Sequence, residues 1–146
     1  MKPITDVQAT AIIQTIVDEF GDGTFRQGKY LFEQLTRLPT GPDNGRLAVG
    51  VALNQICDSE QTFAVLFDSH PNNRSSVTQA VESLDLPNTI GLVTSPGNLA
   101  RLLAFDQCDM YVTTRDGRLL IVACHEDDVV NGERIVWAVS PTRAKP

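Results

Sequence analysis

Apolar residues recur at helical spacing near the start of the chain, where Ile12, Ile13, Ile16, Val17 and Phe20 share one face. Thr5 supplies an N-cap, Gln8 three residues later completes a capping box, and Gly21-Asp22-Gly23 stops the helix. Leu31, Phe32, Leu35 and Leu38 predict a second helix from about Lys29 to Leu38, closed by Pro39. The segment from Pro39 to Gly45 has the composition of a loop.

The period then shortens. Leu47, Val49, Val51 and Leu53 alternate with small residues and predict a strand, and the run from Thr62 to Phe67 predicts a strand buried on both faces. After the polar turn at Asp68 to Asn73, residues Val77, Ala80, Val81 and Leu84 mark a short amphipathic helix capped by Ser75 or Ser76. Ile90 to Thr94 reads as a strand. Ser95-Pro96-Gly97-Asn98 begins a helix that buries Leu99, Leu102 and Leu103. Met110 to Thr114 and Leu119 to Ala123 flank Arg115-Asp116-Gly117-Arg118, a hairpin with Asp-Gly at its turn. In the last strand, Arg134 to Val139, Ile135, Trp137 and Val139 share one face and Val136 and Ala138 the other. The order of elements predicts an α+β fold with two N-terminal helices and an antiparallel sheet that ends in a β-hairpin and meander. The helices are expected to pack on one face of that sheet. Residues 1–146 read as a single domain, with 1–38 as its helical part and 141–146 as a frayed tail.

Composition adds exclusions. With 18 acidic and 12 basic side chains, the net charge of −6 argues against binding nucleic acid or an anionic membrane surface. No window of 18 apolar residues exists, and Asp6, Gln8 and Thr10 interrupt the N-terminus where a signal core would lie. Cys57, Cys108 and Cys124 form no C-x-x-C motif, so the expected compartment is a reducing cytoplasm. No cofactor is expected.

The acids are unevenly placed. Between Leu102 and Glu133 stand Asp106, Asp109, Asp116, Glu126, Asp127, Asp128 and Glu133 against Arg115 and Arg118, a local charge of −5. Such a concentration steers a basic partner. Cys124-His125-Glu126-Asp127-Asp128 is also the richest cluster of potential ligands, and an alternative reading is an enzyme or metal site on His125, Glu126 and Asp128. Neighbouring strand residues point to opposite faces, and no second ligand group stands at metal spacing, so no metal is expected. A G-x-S-x-G elbow, a P-loop and a G-x-G-x-x-G fingerprint are all missing. Gly21-Asp22-Gly23-Thr24 and Ser95 to Asn98 match neither phosphate fingerprint; the latter could hold an anion at a helix N-terminus, but ordinary capping is the simpler account.

Four segments carry a resemblance. These are Asn98 to Leu103, Asp109 to Thr113, Leu119 to Val122 and His125 to Val130. Together they resemble small bacterial SUKH-like and toxin-immunity domains, in which a helix leads to a strand pair and an "HxD" loop. Leu119 or Leu120 stands where such domains often carry Trp. The resemblance implies a protein-binding module with no catalytic residues. The expectation is therefore a cytoplasmic immunity or inhibitor protein that covers a basic toxin or nuclease through Asp106, Asp109, Glu126, Asp127 and Asp128, with Tyr111 as an anchor. A third reading is a structural or regulatory homo-oligomer joined through the open edge of the meander.

Overall fold

The computed structural model describes residues 2–27, 29–38, 46–56, 62–67, 91–104, 109–114, 119–123, 129–130 and 133–139. Chain order gives β1 (Lys2–Pro3), α1 (Asp6–Phe20), a 3-10 turn (Phe32–Gln34), β2 (Arg46–Ala48), α2 (Val49–Ile56) and β3 (Phe63–Phe67). There follow β4 (Gly91–Thr94), α3 (Pro96–Leu103), β5 (Met110–Thr114), β6 (Leu120–Ala123), β7 (Val129–Val130) and β8 (Glu133–Val139). The fold is α+β. Seven strands bond in the order β1-β4-β3-β5-β6-β8-β2, all pairs antiparallel, and β7 pairs with the start of β8 off that path.

The hairpin has the register its sequence implies, with Met110 opposite Ala123 and Thr113 opposite Leu120, although the turn itself lies outside the described residues. The Thr113 hydroxyl fixes its far end by donating to the Leu119 carbonyl at 2.9 Å. The capping box of α1 is present in both directions. The Thr5 hydroxyl accepts from the Gln8 amide at 3.1 Å, and the Gln8 side chain accepts from the Thr5 amide at 2.9 Å.

The sheet is covered on both sides, which corrects the one-face expectation. Phe63, Val65, Phe67, Met110, Val112, Ile121, Ala123 and Val136 pack with Ala52 of α2 and Leu99, Leu102 and Leu103 of α3. The alternate residues Leu66, Tyr111, Leu120 and Val122 pack instead with Ala9, Ile16, Val17 and Phe20 of α1 and with Leu31, Leu35 and Leu38. Strand alternation dictates this division: central strands apolar at every position need a layer on each side.

Two further elements differ from expectation. The second N-terminal helix is reduced to the 3-10 turn at Phe32–Gln34. Leu31, Leu35 and Leu38 are buried as their spacing implies, but tertiary partners take the backbone groups that a helix would use. The Arg37 amide donates to Phe20 O at 2.8 Å, and the Gln34 side chain binds Arg26 from both of its polar atoms. The strand expected from Leu47 to Leu53 ends at Ala48 and continues as α2. Val49, Ala52 and Leu53 also satisfy a helical period, Ala52 is fully buried, and Val51 is 47% exposed on the outer side.

Candidate functional site

The outcome for the expected contact residues is divided. Tyr111 lies in the middle of β5, is 0% exposed and packs in the α1 core between Leu66 and Val122, its register partners. It is a core residue and cannot serve as a surface anchor. Asp109, directly before β5, is 3% exposed, so it too leaves the set of surface acids. Both are buried for one reason: a helical layer covers each face of the sheet, which neither charge nor position in the hairpin reveals. Asp106, Glu126, Asp127 and Asp128 lie outside the described residues, as do His125, Cys124, Cys57, Cys108 and His70. Among the described residues, no group of three or more His, Cys, Asp or Glu is arranged to hold a metal ion. No described helix is long and apolar enough to cross a membrane.

The strands that flank the acidic segments are described, and their ends fall together. Phe67 closes β3 opposite Met110, which opens β5, and Met110 stands opposite Ala123, which closes β6. Glu133 opens β8 and pairs with Val130. With about 4.8 Å between neighbouring strands, the ends at Phe67, Met110 and Ala123 span roughly 10 Å. The opposite end of the sheet carries Thr94, Thr114, Leu120 and Val139, and there β4 passes into α3.

At the acidic end one buried cation has a defined task. Arg134 in β8 donates from Nη1 to the carbonyl of Leu103, the last residue of α3, at 2.9 Å. The cation thus meets the negative end of that helix and satisfies one of its terminal carbonyls. This was missed in the sequence because Arg134 lies 31 residues beyond its partner.

The meander leaves no open edge at β8, which corrects the strand-pairing route to an oligomer. β8 is paired with β6 on one side and β2 on the other. The outermost strands are β1 and β2, two and three residues long, and short edges of this kind template little further pairing. Beside β2, the Arg46 guanidinium lies 5.3 Å from the centroid of the half-buried Trp137 ring, and Phe32 stacks on the same ring at 6.4 Å. Trp137 thus joins the core on the α1 side, as strand alternation implied.

A surface ion pair follows α1. Asp22 and Arg26 meet at 2.9 Å. The hydrogen bond from Arg26, followed by the bond from the Thr24 amide, holds the Asp22 carboxyl below its ordinary pKa, and Arg26 is raised in turn. The pair closes a turn after α1 and contributes no chemistry.

No family model matches the chain, and no curated protein or solved structure matches it either.

Proposed function

We propose that the protein is a binding module that covers a basic surface of another protein with one acidic end of its sheet, in the manner of an immunity or inhibitor protein. The observation that carries this reading is the common position of the strand ends at Phe67, Met110 and Ala123, beyond which β8 extends by three residues to Glu133. Asp68 follows the first of these directly, Asp106 precedes Met110 by four residues, and Glu126, Asp127 and Asp128 follow Ala123 by three to five. These acids lie within five residues of the strand ends, a reach of at most about 18 Å at about 3.6 Å per residue. A concentration of charge raises the association rate of an oppositely charged partner. Tyr111 and Asp109 take no part in the contact, so the reading rests on Asp106, Glu126, Asp127 and Asp128.

The test compares proteins captured from native lysate by the wild type and by the triple variant E126Q/D127N/D128N, each at 50 mM and 500 mM salt. A specific partner should be basic, should be lost on the variant and at high salt, and should associate roughly tenfold more slowly with the variant at low salt. A captured partner that binds the variant at an unchanged rate overturns the reading.

A further inference from the structure

The first turn of α3 lies at the other end of the sheet, and its polar groups are poorly satisfied. Ser95 is its N-cap, yet the Ser95 hydroxyl accepts no backbone amide; its recorded contact is with Asn98 Nδ2 at 3.4 Å. Pro96 has no N–H, and the Asn98 amide turns back to the Ser95 carbonyl at 3.1 Å. That leaves the Gly97 N–H as a first-turn donor without an intrahelical acceptor. No acidic side chain stands in this turn to offset the positive end of the helix. Nothing lies within 4 Å of the place a Cβ on Gly97 would occupy, so the turn is open from outside.

Thr94 supplies an independent observation. It is 3% exposed, and its hydroxyl is buried with no hydrogen-bond partner, alone in this respect among the described residues. Strand alternation fixes its direction. Leu92, two residues earlier, packs in the core that holds Leu99, Leu102 and Leu103, so Thr94, the residue before the N-cap of α3, faces the same layer. A buried hydroxyl with no acceptor costs stability, and native proteins rarely leave one without a reason.

We infer that the N-terminal turn of α3 binds the phosphate group of a small molecule, with the Gly97 amide and the Ser95, Asn98 and Thr94 side chains as donors. Several uncharged donors converging on a helix N-terminus suit a tetrahedral oxyanion, which offers three or more acceptor oxygens. Bound phosphate accepts the Thr94 proton and removes the one unsatisfied group. The site is independent of the acidic end, and either proposal can fail without the other.

The test is a titration of the full chain with inorganic phosphate, followed by amide NMR and thermal denaturation, with chloride at matched ionic strength as the control. Phosphate should shift the Gly97 and Asn98 amide resonances and raise the melting temperature. Thr94→Val should weaken phosphate affinity roughly tenfold, as expected for a lost hydrogen bond to a charged group, while melting no lower than wild type without phosphate. Gly97→Ala meets nothing within 4 Å, so it should retain the fold, while its methyl narrows the approach to the Gly97 amide and should weaken the phosphate response. Amide shifts absent at Gly97 and Asn98, an equal response to chloride, or unchanged affinity in both variants each overturn the assignment.

Discussion

Gln34 is the residue whose replacement most directly tests how the segment after α1 is held. Its side chain is buried, and its two polar atoms close a ring on the backbone. Oε1 accepts from the Arg26 amide at 2.6 Å, and Nε2 donates to the Arg26 carbonyl at 3.0 Å, with longer contacts to the Lys29 and Tyr30 carbonyls at 3.4 and 3.5 Å. Gln34→Leu keeps most of the volume and removes every one of these. The two short bonds carry the cost, because the longer contacts lie at the limit of useful geometry. Leaving a partly buried N–H and C=O unpaired costs about 1–3 kcal/mol each, so the variant should lose about 2–6 kcal/mol in all. Denaturant unfolding should show this as a lower midpoint at unchanged slope. Phe32 belongs to this segment and stacks on Trp137, the only tryptophan, so native fluorescence should also change.

Gln34→Glu refines the test. An ionised carboxylate would still accept the Arg26 amide but would face the carbonyl oxygens that Nε2 now serves. Burial and those carbonyls raise its folded pKa above the unfolded value of about 4.3. A raised acid keeps its stability below the unfolded pKa and loses it as pH climbs toward the folded one. The variant should therefore approach wild type at pH 3.5 and fall progressively behind it towards pH 7. A gap between Gln34→Glu and wild type that does not vary with pH, or a cost below about 0.5 kcal/mol for Gln34→Leu, would refute the ring as the fastener of this segment.

Other substitutions test separate joints. Gly21→Ala would drive a methyl into the Gln34 and Val17 carbonyl oxygens, which belong to backbone and cannot swing aside, whereas at Gly91 the methyl meets mainly the ends of Ile4 and Leu66 at 2.9 Å. Chemical denaturation should rank Gly21→Ala well below Gly91→Ala, the latter costing about 1–3 kcal/mol as ordinary overpacking. Thr5→Ala removes half of the α1 capping box and should cost about 1 kcal/mol by the same assay. Arg134→Met leaves the Leu103 carbonyl buried without this donor; a loss of about 1–3 kcal/mol, with faster amide exchange at the end of α3, is expected. For Asp22, carbon-detected NMR titration should find a pKa below that of an ordinary aspartate, and Arg26→Ala should raise it while the Thr24 amide bond remains. Its lowered folded pKa means the contribution is present above the unfolded value and disappears as pH falls through the folded one.

Local signals in the sequence were informative wherever local physics decides the structure. The α1 cap, the paired strands of the hairpin, the start of α3 at Pro96 and the buried run of β3 all depend on neighbours within a few residues. Segment 29–38 failed because its leucines are equally well buried by a 3-10 turn once Gln34 and Phe20 take over the backbone bonds. Residues 47–53 failed because their spacing fits periods of 2 and 3.6 alike. The candidate site was legible as a concentration of charge, since that is a property of composition. Which acids reach the surface was not, since burial of Asp109 depends on layers contributed from distant parts of the chain.

The apolar pattern of the central strands constrains where function can lie. A central strand that is apolar at consecutive positions, as Phe63 to Phe67 is, already requires cover on both sides. Helices on one face alone would have left Leu66, Tyr111, Leu120 and Val122 in water, an exposure of apolar area that a monomeric fold does not sustain. Once α1 takes one face and α2 and α3 take the other, neither face is free to meet a partner. The outermost strands are too short to offer much pairing. The two ends of the sheet differ in kind. At one, Arg134 neutralises the close of α3 from within, and the neighbouring segments are crowded with carboxylates. At the other, α3 begins with no acid in its first turn and a hydroxyl beneath it that lacks an acceptor. Helix α3 runs between them, so its dipole is offset at the acidic end by an internal arginine and left uncompensated by any acid in its first turn at the opposite end.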